Sequence, residues 1–263
     1  MNHDWSKCTI IIACFNEQDN IIKCIEGVNE VVPGAEILVV AGGTDKTAEN
    51  ARTMQNKIPT VKVIENKPDY GKGHATKVAI LNAKNDYQAE IDADLQFSPS
   101  DLPSILIPIM SGEYKIVNGT RHLKKTGWTK NAKNFARDYG NRYLAFLASI
   151  LTGTKFTDMT AGFHAWERNF VKSVWVNADS FSFSLELLIR AAGTGEKILE
   201  IPISYSERTA GESMHKNSFQ VIRAGIKMTK VILKTWYEVF VQKNVRAKSF
   251  PSTHSRNTPY HTL

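Results

Sequence analysis

The sequence predicts an α/β fold: a mostly parallel central sheet covered by helices. Two observations carry this, and a third places the site. Short β-rich runs alternate with helical stretches through the first half of the chain. These runs are apolar on both faces, as strands buried between two helical layers must be. Polar clusters then fall at the carboxyl ends of the strands, where open parallel sheets bind ligands.

In chain order, Thr9 to Ala13 reads as a buried strand, Asn20 to Val31 as a helix, and Glu36 to Val40 as a second buried strand ending at Gly42-Gly43. Thr47 to Met54 is helical, Thr60 to Ile64 is a third strand, and Lys72 to Ala83 is a helix. Tyr87 to Ile91 leads into Asp92-Ala93-Asp94, and Ile116 to Arg121 is a strand running into a polar turn. Tyr143, Leu144, Leu147, Ile150 and Leu151 recur at helical spacing and predict a helix with one core-facing apolar side. Three boundaries are expected: a catalytic domain over 1–215, a basic amphipathic helix over 216–243 and a loose, Ser/Thr/Pro/Asn-rich tail over 244–263.

Composition excludes several classes. With 263 residues, 42% hydrophobic and 22% charged, the chain can bury a full core and is neither disordered nor collagen-like. Its three cysteines (Cys8, Cys14, Cys24) are odd in number and lack metal-ligand spacing, which points to a reducing compartment. No charged leader precedes an apolar segment at the N-terminus, so a secretory signal is not expected. The longest apolar runs, such as Leu144 to Leu151, are about eight residues, against roughly 20 for a membrane span.

The net charge of +7 is unevenly spread. Residues 206–263 hold ten Lys or Arg against three Glu, whereas the first 205 residues balance at 23 of each sign. Such asymmetry points to an anionic partner: nucleic acid, a membrane surface or a phosphorylated substrate. Over Lys216 to Gln242, at about 100° per residue, Lys216, Arg223, Lys227, Lys230 and Lys234 share a stripe about 60° wide. Apolar residues including Phe219, Ile222, Ile226, Leu233, Trp236 and Phe240 fill most of the other faces, the pattern of an interfacial helix. No nucleic-acid motif accompanies the basic segment, so no nucleic-acid partner is expected.

Asp92 and Asp94 stand at i and i+2 just after a strand, where both can turn toward one cation, and Gln96 adds a neutral oxygen. Oxygen ligands of this kind suit Mg²⁺ or Mn²⁺ with phosphate oxygens completing the shell. Gly71-Lys72-Gly73, just before a helix, lets backbone amides and an ammonium approach a diphosphate. Arg208 to Ser213 gathers a guanidinium, a glycine turn and a hydroxyl suited to a phosphate.

Taken in order, ACFNEQDNI, VVAGGTDKT, GKG, DADLQ, GTR, TDMTAGF, Glu186 in FSFSLELL, EIPISY and RTAGES resemble family-2 glycosyltransferases. The resemblance is to the dolichol-phosphate mannosyltransferases and other polyprenyl-phosphate glycosyltransferases, over about residues 8–216. It implies a GT-A (Rossmann-like) fold and an inverting, metal-dependent transfer of mannose or glucose from GDP-mannose or a UDP-sugar onto a polyprenyl phosphate. It also implies work at the cytoplasmic face of a membrane, with a small membrane-anchoring partner as a further candidate.

Carried over, Ala13, Phe15, Glu17, Gly42, Asp45, Lys72, Asp92, Ala93 and Asp94 would bind the nucleotide-sugar. Asp92, Asp94 and Gln96 would hold the metal. Arg121, Arg208, Ser213 and Lys216 would hold the acceptor phosphate, with Asp94, Arg121 and Arg208 acting in catalysis. Asp158 is a candidate for orienting the acceptor or Arg208. An acceptor phosphate is ionised at neutral pH, so no strong general base is required and positioning suffices. Three departures from the family stand out: Ala41-Gly42 replace a pair of aspartates, Ala13 a proline and Met214 a lysine. Asp45 is the expected substitute for the missing aspartate and Lys216 for the lysine. A saccharide or protein acceptor, and a catalytically weakened nucleotide-sugar-binding protein, are the alternatives.

Overall fold

The computed structural model describes residues 3–123, 132–206 and 218–245. A single seven-stranded sheet runs through it, built from β1 (Cys8–Phe15), β2 (Glu36–Gly42), β3 (Val61–Glu65), β4 (Tyr87–Glu90), β5 (Ile116–Thr120), β6 (His164–Glu167) and β7 (Ile198–Pro202). Their order across the sheet is β3-β2-β1-β4-β6-β5-β7. Only β6 runs antiparallel to its neighbours β4 and β5; every other pair is parallel. The strand order reverses between β1 and β4, the position where open sheets of this kind leave a crevice.

Helices α1 (Ile21–Val31), α2 (Thr47–Lys57), α3 (Lys72–Asn82), α4 (Leu102–Met110), α5 (Ala132–Thr152), α6 (Arg168–Ser173), α7 (Phe183–Ala192) and α8 (Ser218–Trp236) complete the elements, and a π-helical turn, Tyr237–Val241, follows α8. Two apolar clusters lie on opposite faces of the sheet. Ile10, Ile12, Ile37 and Val39 face α1 and α4; Ile11, Leu38 and Val40 face α3, α5 and α7. Alternation along β1 and β2 sends successive side chains to opposite layers, which is why these strands read as unbroken apolar runs. α3 is buried almost throughout, from Gly73 to Ile80, so it shows little amphipathic periodicity.

The strands and helices predicted in the first half are all present, with ends within a few residues of those expected. The second half adds β6, β7, α4, α6 and α7. One expectation is corrected: α5 does not turn a single apolar side to the core. Leu144, Ala145 and Ala148 are buried, but Tyr143 and Ile150 are exposed, together with Tyr139 and Phe146. Those four recur every three or four residues and so form an outward apolar stripe. α8 packs against α5 and α7, and Trp236 Nε1 donates to Leu151 O at 2.7 Å. Ile232 and Val239 are buried, whereas Ile222, Ile226, Leu233 and Tyr237 stay exposed beside the basic residues Arg223, Lys227, Lys230 and Lys234. Among the described residues, no helix is long and apolar enough to cross a membrane.

The cysteines are free and buried; burial pushes the Cys8 and Cys24 thiols up to about 12, so they are packing groups rather than nucleophiles.

Candidate active site

The carboxyl ends of β1, β2, β4 and β5 bring the predicted clusters together. Asp92 follows β4 by two residues. Its carboxylate pairs with Lys72 at the start of α3, and the same ammonium lies 3.5 Å from Glu90, one turn of strand below. Burial opposes the charge on Lys72, but Asp92 and Glu90 outweigh it and raise its pKa. Burial raises the Asp92 carboxyl, with the Glu90 charge adding and Lys72 opposing. Gly162 closes the far side: a Cβ there would sit 2.3 Å from Asp92 Oδ2 and 2.4 Å from Lys72 Nζ. Only glycine lets the 158–162 loop approach this pair so closely.

Asp94 and Gln96 flank Leu95, whose φ of 60° turns the chain sharply. Asp94 Oδ1 accepts the Gln96 N–H at 3.2 Å, and the Gln96 side-chain amide donates to Tyr205 Oη at 2.8 Å. No cluster of three His, Cys, Asp or Glu exists among the described residues. The residues predicted to hold a metal, Asp92, Asp94 and Gln96, offer two carboxylates and an amide oxygen, donors that suit a hard cation such as Mg²⁺ or Mn²⁺ and do not suit Zn²⁺.

Arg121, at the end of β5, is buried. Its Nε donates to Asp158 Oδ2 at 2.7 Å and Nη2 to Asp158 Oδ1 at 2.8 Å, with Thr160 Oγ1 also 2.7 Å from Nη2. Its guanidinium carbon lies 5.4 Å from the Tyr205 ring centre. Burial alone would raise the Asp158 carboxyl; the guanidinium outweighs it and holds the group at about 2. Asp158 thus orients Arg121. Two of the three guanidinium nitrogens are committed to it, and the Tyr205 side chain also hydrogen-bonds the guanidinium, so Arg121 does not present an open fork. Asp158 is itself anchored from the sheet: Asn118 Nδ2 donates to its carbonyl at 2.7 Å and to Glu200 Oε1 at 2.9 Å.

On the other side of the crevice, Phe15 ends β1 half exposed, while Ala13 and Ala93 are buried in the two core layers. The Glu17 carboxylate is buried and accepts from Asn20 at 2.8 Å. Asp45 is taken up by the β2–α2 turn: Oδ1 accepts the Thr47 N–H at 2.9 Å and Oδ2 the Gln18 N–H at 3.1 Å. The carboxylate standing over Gly42 is instead Asp69, from the loop after β3. A Cβ on Gly42 would lie 3.3 Å from both Asp69 Cγ and the Phe15 ring. Asp69 is held by Asn66 Nδ2 at 2.8 Å and the Gly71 N–H at 2.9 Å. Arg208, Ser213 and Lys216 lie outside the described residues.

The residues that sequence reasoning missed are Asp69, Glu90, Asn118 and Glu200. Glu90 had a signal, a carboxylate inside a predicted buried strand two residues before Asp92. Glu200 opens the EIPISY motif without a role having been read for it, and Asp69 and Asn118 acquire their places from the fold.

The glycosyl transferase family 2 profile matches residues 9–175, well over half of the chain. The chain belongs to glycosyl transferase family 2. A dolichyl-phosphate hexose transferase of Haloferax volcanii is 34% identical over 206 residues, covering 78% of this chain and 84% of that protein. An undecaprenyl-phosphate mannosyltransferase of Micrococcus luteus is 28% identical over 213 residues, 77% of this chain and 85% of its own. A dolichol-phosphate mannosyltransferase of Pyrococcus furiosus is 28% identical over 236 residues, 85% of this chain and 64% of that one. Among solved structures, glucosyl-3-phosphoglycerate synthase of Mycobacterium tuberculosis, in complex with Mn²⁺, UDP and glucosyl-3-phosphoglycerate, superposes with a TM-score of 0.68 at 16% identity, over 87% of this chain and 79% of that one. This family-2 protein therefore has the GT-A fold and is a glycosyltransferase.

Proposed function

We propose that this glycosyltransferase moves a hexose, of mannose or glucose type, from a nucleotide-sugar onto a polyprenyl phosphate at a membrane surface, with inversion at the anomeric carbon. The observation that carries this reading is the adjacency of two charge clusters at one strand-end crevice: Asp92 with Lys72 and Glu90, and Arg121 with Asp158. The first suits a diphosphate and its cation; the second suits a phosphate acceptor. Three relatives named for transfer to polyprenyl phosphates support the acceptor class.

In this reading Asp92, Asp94 and Gln96 would hold Mg²⁺ or Mn²⁺, which would supply charge neutralisation for the leaving diphosphate. Structures of the M. tuberculosis synthase with UDP and either Mn²⁺ or Mg²⁺ support the cation. Lys72, paired with Asp92, would meet the diphosphate. Phe15, Glu17 and Gly42 border the nucleoside, with Asp69 over Gly42 standing where Asp45 was expected. Arg121, fixed by Asp158, aligns the acceptor phosphate, together with Arg208, Ser213 and Lys216. A phosphate oxygen forms the new bond to the anomeric carbon as the bond to the diphosphate oxygen breaks. The nucleophile is already anionic, so no proton has to be removed and orientation is the protein's main contribution.

The lipid surface enters through α8, whose exposed Ile222, Ile226 and Leu233 border Arg223, Lys227, Lys230 and Lys234. The outward aromatic stripe of α5, packed beside it, supports the same placement. Apolar side chains flanked by cations match an anionic bilayer interface.

The test is transfer of labelled sugar from GDP-mannose, UDP-glucose or UDP-GlcNAc into a lipid phase holding polyprenyl phosphate, with and without a chelator. Chelator-sensitive transfer from one donor is the expected result. Absence of transfer from every donor, despite metal-dependent nucleotide binding, sinks the proposed acceptor.

A further inference from the structure

The loop before α7 lies directly on the turn that carries Lys72. A Cβ on Gly73 would be 2.5 Å from Ala178 O and 2.8 Å from Ser180 O, so the loop and the turn touch backbone to backbone. The His74 N–H donates to Asp179 O at 3.2 Å. Lys77, buried on α3, donates to Asn177 O at 3.1 Å and pairs with the Asp179 carboxylate. Residues 177–180 therefore determine where the start of α3 can sit, and with it the ammonium that faces Asp92.

That loop is fixed from behind by Glu186. Its Oε1 accepts the Asn177 N–H at 3.0 Å and its Oε2 the Ala178 N–H at 2.9 Å. Arg190, one turn later on α7 and 1% exposed, donates Nε to Glu186 Oε1 at 2.7 Å. All three guanidinium nitrogens are engaged: Nη2 reaches Glu238 Oε2 at 2.6 Å, and Nη1 reaches the carbonyls of Asn244 and Val245 at 3.3 Å. Glu238 Oε1 in turn lies 3.9 Å from Lys234, a member of the basic stripe.

We infer that Glu186 and Arg190 are positioning residues for the donor diphosphate, acting through the 177–180 loop on Lys72, with Glu238 and the chain just after α8 as their anchor. The segment from β1 to Gln96 supplies the proposed donor-side ligands, yet the C-terminal helix holds one of them in register. A core salt bridge kept only for stability would need neither the two backbone N–H contacts of Glu186 nor the three-way reach of Arg190. The inference rests on the reading of Lys72 as a donor-site residue.

Two readouts on the full-length protein test it. Hydrogen exchange of the segment 71–78 reads the link itself, and titration of GDP and UDP with Mg²⁺ reads its consequence. Arg190→Lys keeps the charge but cannot span Glu186, Glu238 and two carbonyls. Glu238→Gln is the milder variant, because Glu238 is partly exposed and glutamine keeps the shape of the side chain. Ile189→Ala, a buried apolar change on the same helix, is the control for plain destabilisation.

In Arg190→Lys and Glu238→Gln, the His74 amide is expected to exchange at least about threefold faster, with β1 and β2 unchanged. Nucleotide Kd is expected to rise between about twofold and thirtyfold, the span seen for residues that act through others. Ile189→Ala should lower the melting temperature without moving either quantity below it. Unchanged exchange at 71–78 in both variants, or changes no greater than those of Ile189→Ala, would overturn the inference. If exchange responds but the wild-type protein binds no nucleotide, the donor-site reading falls instead, and with it the role given to Glu186 and Arg190.

Discussion

Two regions of this molecule handle charge and apolar surface in opposite ways. At the carboxyl ends of the strands, Lys72, Glu90, Asp92, Arg121 and Asp158 are largely sequestered and pair ion to ion. Along α5 and α8, large apolar side chains such as Phe146, Ile150, Ile222 and Ile226 face outward, and the cations beside them are exposed. A folded chain tolerates buried charge when partners offset the loss of hydration, and exposed apolar stripes when another phase covers them. The first region is thus preorganised for a charged substrate. In the proposed function the second meets a membrane surface.

The largest break in this contrast comes from the crevice. Asp94→Asn removes a charge proposed to meet the cation, and transfer should fall by about 10²–10³, the cost of losing one well-placed electrostatic contact, with folding retained. The labelled-lipid assay and circular dichroism check both halves of that statement.

Asp158→Asn strands the Arg121 guanidinium in a buried place. Breaking a pair of this kind from one side costs about 3–5 kcal/mol, so denaturant unfolding should shift by that amount and acceptor KM should rise. A shift under about 1 kcal/mol would mean that water reaches the pair, at odds with their burial.

On the outward region, Lys227→Glu, Lys230→Glu and Lys234→Glu together should reduce binding to anionic vesicles by about a hundredfold or more, at about 1 kcal/mol for each cation lost. Activity in vesicles should fall with it; unchanged activity would remove α8 from the lipid surface. Phe146→Ser with Ile150→Ser should weaken vesicle binding about tenfold or more while moving stability by less than about 1 kcal/mol, since both side chains are exposed. An equal loss of stability would mean that the α5 stripe is covered in the protein itself.

Stability also depends on pH. Burial, helped by the Lys72 charge, lowers His164 to about 3. The unfolded chain then binds this proton more readily than the folded one. Stability is full above the unfolded value near 6.5 and declines as pH falls toward 3, by at most about 1.4 kcal/mol per pH unit. The Asp158 contribution is lost only lower, between its unfolded value and about 2. His164→Asn should flatten the upper part of an acid-denaturation profile and leave the lower part unchanged.

The sequence alone determined the parallel half of the sheet, because β1 and β2 are apolar on both faces and carry that record residue by residue. It also placed Asp92 and Asp94 at the carboxyl end of a strand, and its charge imbalance falls on the segment that carries α8. It did not reveal β6, whose four residues, His164 to Glu167, include two polar groups and become a strand only by pairing between β4 and β5. Nor did it reveal which carboxylate stands over Gly42, because Asp69 arrives there from a separate loop while Asp45 is spent on capping a turn. The direction of α5 was misread for the same reason: periodicity shows that a helix has an apolar side, not what lies against it. Local spacing fixes what each segment can become. Which groups meet across segments, Lys72 with Asp92, Arg121 with Asp158, Arg190 with Glu238, depends on strand order and helix packing, and those contacts exist only once the whole chain has folded.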